Sequence, residues 1–400
     1  MKKRVFSLIL LFIVVVFISS MTTGNRISLP NIVHGYQDTT GMLGTNSITE
    51  YTLPRPTANF YGYPVEGCSS FCLSNPISCV FGTNLDLFFT SGQLFVNKKN
   101  MVKAGREAST TGKRAVWTSK FGSLTFNVVG YQNACTGMNE AGLVISTMNL
   151  PQTKMPVPDQ RPPLDNAFWV QYQLDNCATV EEVIASDSRV RITPTPPGGN
   201  HYLVCDKKGD CAVIEFLDGK MVYYTGGNLP VNVLTNSTYK ESVKAWRENK
   251  LYGESIPRFA RAADQVKNKY MFASNKATIY YAFYTLSVIS TPITVWSVVF
   301  DNQELQVYFI SQRNQQMRCI DFKKLDFSSK TPVLMLDVHA QLAGDISDRL
   351  LPYSHQASLA QMKKAFNEFV PDMSDIEIED ILKFFEDFPY AESIENSPKE

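Results

Sequence analysis

The residue with the most chemical potential in this chain is Cys68. It stands in "YPVEGCSSFCLSNPISCVFGTNLDLFF", residues 63–89, directly after Gly67. A thiolate is an intrinsically strong nucleophile. The pattern around Cys68 reads as the start of a strand, yet it lies far from Met1. One explanation is that cleavage turns Cys68 into a chain start. The other cysteines are Cys72, Cys79, Cys135, Cys177, Cys205, Cys211 and Cys319. No C-x-x-C pair occurs and the four His are scattered, so neither a structural zinc site nor a cofactor is expected. Two local pairs have hairpin spacing: Cys205 and Cys211 flank "DKKGD", and Cys72 and Cys79 flank "LSNPIS". Each pair is read as a disulfide or as two buried thiols. A papain-type pairing of Cys68 with His201 or His339 has no supporting local signature.

The elements that must position Cys68 are mostly short strands. Apolar alternation runs through "SSFCLS", "SCVFGTNL", "QLFVN", "RAVWTS", "SLTFNVVGYQ" and "GLVISTMNL". Helical periodicity enters at "NAFWVQYQLDN" and "TVEEVIAS", with Thr179 as an N-cap. "NHYLVCDKKGDCAVIEFLDGKMVYYTGG" reads as a strand meander with turns at Lys208-Gly209 and Asp218-Gly219. Helices are expected in "KESVKAWRENKLY", "PRFARAADQVKN" and "KATIYYAFYTLSVI", and a hairpin in "TVWSVVFDNQELQVYFIS". Strands, then helices, then strands argue for layered α+β packing over a regular βαβ succession.

The 400 residues carry a formal net charge of zero and 44% hydrophobic residues. That supports a sizeable core and gives no long-range pull toward nucleic acid or anionic lipid. Residues 1–21 have a basic start, Lys2-Lys3-Arg4, then an apolar run shorter than a membrane span, the shape of a secretory signal. Export is therefore expected, with no stable membrane span once the signal is removed. Residues 22–67 are irregular and rich in Pro, Gly, Thr and Asn, a leader or propeptide. The main domain is expected over 68–340. A helical tail over 341–400 carries "LAQMKKAFNEFV" and "DIEIEDILKFFEDF".

Four stretches together resemble the choloylglycine hydrolase family, which holds bile salt hydrolases and penicillin V acylases among the N-terminal-nucleophile hydrolases. They are "CSSF" followed by "FGTNLD", "GMNEAGLVISTMNLP", "VLTNSTY" and "IPRFARAA". The resemblance implies a four-layer αββα sandwich and hydrolysis of a linear, non-peptide amide of a small N-acyl substrate. It implies Cys68 as nucleophile, freed by autocatalytic release of the residues before it, with its own α-amino group as base. It also implies Asp86 on that amino group, the Asn236 side chain and the Asn149 backbone N–H as oxyanion donors, and Arg258 beside the thiol. Family members often form tetramers, so a homo-oligomer is the assembly the resemblance suggests.

Three features qualify this reading. Bile salt hydrolases and penicillin V acylases usually carry Arg where this chain has Thr83, so a cation near the thiol is missing. "NST" at Asn236 is also a glycosylation sequon, and a glycan there would exclude the catalytic role. The alternative function is an exported family member that binds ligands without catalysis. Thr83 favours it, and the joint presence of the five site residues opposes it.

Overall fold

The computed structural model describes residues 66–369, with breaks at 76–77, 89, 109–113, 132, 195–198 and 269–273, and beyond that only 374 and 378–379. The signal, nearly all of the leader and most of "DIEIEDILKFFEDF" lie outside the described residues. In chain order the strands begin β1 (Glu66–Asn75), β2 (Ser78–Leu87), β3 (Gln93–Asn97), β4 (Val102–Ala108), β5 (Arg114–Thr118), β6 (Ser123–Asn127), β7 (Ala134–Asn139) and β8 (Val144–Asn149). β9 (Pro163–Asp165), helix α1 (Trp169–Asn176), helix α2 (Val180–Ala185) and β10 (Arg191–Thr193) follow. Then come β11 (Asn200–Cys205), β12 (Cys211–Leu217), β13 (Lys220–Thr225) and β14 (Val233–Leu234). Helices α3 (Tyr239–Arg247), α4 (Ser255–Lys267) and α5 (Asn275–Val288) lead to β15 (Thr294–Asp301), β16 (Gln306–Ser311) and β17 (Asn314–Asp321). The described chain closes with β18 (Leu334–Asp337), β19 (Gly344–Asp345), β20 (Leu351–Pro352) and α6 (His355–Phe369).

Two large sheets result. One has the order β14-β1-β2-β15-β16-β17-β19, the other β13-β12-β11-β8-β7-β6-β3-β18-β20. The alternation of side chains decides how they stack. On β1, Ser70 faces the second sheet, where its hydroxyl reaches the Met148 sulfur at 3.3 Å. Its neighbour Ser69 faces outward, and its hydroxyl accepts from Arg258 of α4 at 2.6 Å. On β2, Asn84 also faces outward and donates to the Leu286 carbonyl of α5 at 2.9 Å. On the far side, Ile145, Tyr202, Val204, Ala212 and Ile214 of the second sheet pack with Trp169 and Leu174 of α1 and Val183 of α2. Helices, sheet, sheet and helices therefore form the four-layer αββα sandwich of N-terminal-nucleophile hydrolases. Strand β3, "QLFVN", is buried at all five residues, whereas β5, "RAVWT", alternates exposed and buried. Period-two patterning thus marks the peripheral strand and fades in the central one.

The local expectations are met where their physics is local. The Thr179 hydroxyl accepts from the Glu182 N–H at the start of α2. Asp218 and Gly219 have φ of 51° and 77°, the left-handed pair that a two-residue hairpin turn requires. Cys205 and Cys211 lie directly opposite on β11 and β12 and are disulfide-bonded. Cys72 and Cys79 differ: their sulfurs are 3.7 Å apart and unbonded. On the β1–β2 ladder Cys72 opposes Phe81 and Cys79 opposes Ser74, so the two cysteines are diagonal neighbours and not partners. Beyond residue 340 the chain first adds strands to both sheets, β19 beside β17 and β20 beside β18. α6 then docks on β3, with the Ser358 hydroxyl on Gln93 Oε1 at 3.0 Å and Met362 and Phe366 buried.

Candidate active site

Cys68 lies in β1 and faces the space between the sheets, on the same side as Ser70 and Cys72. It is 8% exposed. Its backbone N–H donates to Asn236 Oδ1 at 2.9 Å. Asn236 follows β14, the strand that pairs with β1, so sheet order alone brings it near. The same Oδ1 accepts from Arg258 Nη2 at 2.8 Å, and Asn236 Nδ2 donates to the Asn149 carbonyl at 3.0 Å. One amide thus joins β1, the end of β8 and α4. Nδ2 carries two hydrogens, and the Asn149 carbonyl takes one.

Arg258 sits in the first turn of α4, just after Pro257, a position proline suits. Arg258 is 3% exposed. Nη1 donates to the Cys68 carbonyl and to the Ser69 hydroxyl, each at 2.6 Å. The arginine therefore reaches Cys68 through the main chain. Asp86 on β2 pairs across the ladder with Gly67. Its Oδ1 accepts from the Thr294 hydroxyl at 2.5 Å, and Arg258 Nη1 stands 3.9 Å from Oδ2. Among the described residues, Oδ2 is buried without a hydrogen-bond partner. Burial pushes the Asp86 carboxyl above its ordinary range, while Arg258 and the hydroxyls of Thr294 and Thr291 pull it back. A Cβ at position 67 would stand 3.3 Å from both Arg258 Nη2 and Asp86 Oδ2. Gly67 lets the carboxylate and the guanidinium close on the backbone at the Gly67–Cys68 junction.

Asn149 enters through its carbonyl, and its N–H has a defined direction. Leu150 N donates to the Gly199 carbonyl, which makes Asn149 and Asn200 a non-hydrogen-bonded pair. The Asn149 N–H therefore turns away from β11. The structure thus gathers all five residues singled out in the sequence: Cys68, Asp86, Asn149, Asn236 and Arg258. It adds Ser69, Thr294 and Ser255, whose hydroxyl accepts the Asn236 N–H at 2.9 Å. No sequence pattern marks those three. Thr83 is buried in a hydroxyl chain, taking a hydrogen bond from Ser70 at 2.8 Å and meeting Ser146 Oγ at 2.9 Å. Neither His201 nor His339 serves Cys68. His201 is held by Glu215 and the Thr235 carbonyl, and His339 Nε2 by the Thr90 carbonyl.

A model of the linear amide C–N hydrolases, choloylglycine hydrolase family, matches residues 68–251 and begins on Cys68 itself. Residues 68–251 carry the pattern of the choloylglycine hydrolase family. The chain is 28% identical to a penicillin V acylase of Pectobacterium atrosepticum, over 54% of this chain and 69% of that relative. Among solved structures, a penicillin V acylase from Agrobacterium tumefaciens superposes with a TM-score of 0.62 at 27% identity, covering 72% of this chain and 98% of that one. A conjugated bile acid hydrolase from Clostridium perfringens shares the fold, with a TM-score of 0.55 at 17% identity over 69% and 98% of the two chains. The matched family is one of linear amide C–N hydrolases, which supports an amide hydrolase of the penicillin V acylase and bile acid hydrolase type. No described helix is long and apolar enough to cross a membrane.

Proposed function

We propose that this family member hydrolyses a small N-acyl amide with Cys68 as nucleophile, after removing the residues before it. The observation that carries the reading is the Asn236 amide, which binds the Cys68 nitrogen, the Asn149 carbonyl and Arg258 at once. In the precursor, Cys68 Sγ attacks the Gly67 carbonyl carbon. The peptide C–N bond breaks as the C–S bond forms, and water then cleaves the thioester. The product is a free α-amino group on Cys68, whose ordinary pKa is near 8, so a usable fraction is neutral. Asp86 Oδ2, buried beside Gly67 and without a hydrogen-bond partner among the described residues, supports a role for Asp86 in receiving that amino group.

In turnover the amino group takes the thiol proton and Sγ attacks the substrate carbonyl. The second Nδ2 hydrogen of Asn236 and the N–H of Asn149 hold the oxyanion. The amino group then returns its proton to the departing amine. Water attacks the resulting thioester, releases the acid and restores the thiol. Arg258 holds the Cys68 carbonyl and brings fixed positive charge to the thiol's surroundings. The basic and apolar N-terminal segment supports export of this enzyme. The test is the intact mass and N-terminal sequence of purified protein beside a Cys68→Ala variant. It is followed by assay on penicillin V, conjugated bile acids, N-acyl homoserine lactones and N-acylethanolamines. The expected wild type starts at Cys68 and cleaves at least one of them, while the variant keeps its leader and cleaves none. A wild type that keeps its leader indefinitely overturns the mechanism and moves the ligand-binding reading ahead.

A further inference from the structure

We infer that His201 and Glu215 are positioning residues for Asn236, an inference that rests on the role proposed for Asn236 above. Neither is used by the chemistry just described. Both are fully buried, and they face the inter-sheet space with Leu203 and Val213, on the side opposite to Tyr202 and Ile214. They lie on adjacent strands, one step beyond the Tyr202–Ile214 pair. His201 Nδ1 meets Glu215 Oε1 at 3.1 Å. Placing two ionisable groups in such a site is costly, and a packing role alone is served better by apolar side chains.

What the pair grips explains the cost. His201 Nε2 lies 2.6 Å from the Thr235 carbonyl, so that nitrogen carries the hydrogen and donates. Glu215 Oε1 accepts the Tyr239 N–H at 2.8 Å. The two contacts bracket residues 235–239, with Asn236 between them. Thr238 is the N-cap of α3, yet its side chain makes no capping hydrogen bond. Glu215 instead accepts another first-turn N–H, that of Tyr239, from a distant strand, and its carboxylate suits the positive end of that helix. Ser255 holds the same loop from α4, through its contacts with the Asn236 N–H and the Thr235 hydroxyl. The Asn236 amide must serve Cys68, Asn149 and Arg258 in one orientation. A shift of its backbone by about 1 Å is enough to cost on the order of 100-fold in rate.

The test uses full-length His201→Ala and His201→Gln beside Cys68→Ala, with kcat and KM on the panel substrate that wild type cleaves best. Mass spectrometry confirms the processed N-terminus, and folded fraction is measured for each variant. Gln keeps a donor for the Thr235 carbonyl and Ala does not. Per folded molecule, His201→Ala is expected to lose about 100-fold in kcat with KM within about threefold, and His201→Gln to recover about tenfold of that loss. If His201→Ala does not fold, His201→Gln alone decides: a kcat loss of about tenfold at unchanged KM supports the inference. Wild-type kcat in folded His201→Ala overturns it, as does wild-type kcat in His201→Gln where His201→Ala does not fold, or a loss that only tracks folded fraction. Full activity in Cys68→Ala would instead sink the mechanism itself, whatever the His201 variants show.

Discussion

Two buried carboxylates in this molecule have opposite surroundings. Asp175, at the end of α1, is fully served. Lys103 Nζ reaches its two oxygens at 3.0 and 2.9 Å, and Trp117 Nε1 and Gln171 Nε2 each donate at 2.8 Å. Asp86 has the Thr294 hydroxyl at 2.5 Å, the Thr291 hydroxyl nearby and an arginine held 3.9 Å away, and among the described residues its Oδ2 has no hydrogen bond that meets ordinary geometry. The same residue type is thus closed in one layer and left incomplete at the junction of Gly67 and Cys68. The satisfied carboxylate ties the strand pair β4–β5 to α1. An incomplete one keeps capacity for a partner that arrives later, here the amino group that cleavage would create. An unpaired buried polar group costs stability, and under the proposed mechanism the amino group of Cys68 would offset that cost.

That contrast yields graded expectations. The largest concerns activity. Asp86→Asn should lower the kcat of processed enzyme by about 10²–10⁴-fold, the usual range for a lost acid–base contribution. Near-normal turnover would remove Asp86 from the mechanism. Next in size, Lys103→Ala should destabilise the fold by about 3–5 kcal/mol in denaturant titration, because it strands the Asp175 charge. Turnover per folded molecule should stay at the wild-type level, and a selective kcat loss would break the division between the two sites. Asn236→Ala should cost about 2.7–4 kcal/mol in transition-state stabilisation, read from kcat/KM, with a far smaller effect on melting.

The smallest effect is on the pH dependence of the unprocessed chain. Burial raises the Asp86 carboxyl above its ordinary 3.8, so the folded state holds that proton more tightly than the unfolded chain. Stability then falls as pH rises from the ordinary value through the raised one, and levels off above it. Melting curves of Cys68→Ala precursor between about pH 3.5 and 7 should show this fall, and adding Asp86→Asn should remove that part of it. Identical slopes with and without Asp86→Asn would show that the carboxylate carries no such burden.

Much of the site was legible because it is written in short motifs. Cys68 after Gly67, Asp86 at the end of β2, Asn149 at the end of β8, Asn236 before α3 and Arg258 in the first turn of α4 all occupy recognisable local contexts. The turn at Asp218-Gly219 and the cap at Thr179 were legible for the same reason, since their physics spans a few residues. The cysteines show where this ends. Both candidate pairs have hairpin spacing, but only register distinguishes a directly opposed pair from a diagonal one. Thr83 tells a similar story. In the sequence it is a missing cation, and in the fold it is one link of a buried hydroxyl chain with Ser70 and Ser146.

The sequence by itself determined the family resemblance, the layered α+β class and the identity of the groups that could react, because local pattern and motif order carry that information. Only the tertiary structure decided which groups meet and how completely each is satisfied. Asn236 and Cys68 are 168 residues apart, and Thr294 and Asp86 are 208 apart. Hydrogen bonds act over about 3 Å, so these partners become visible only once strand order and register bring them together.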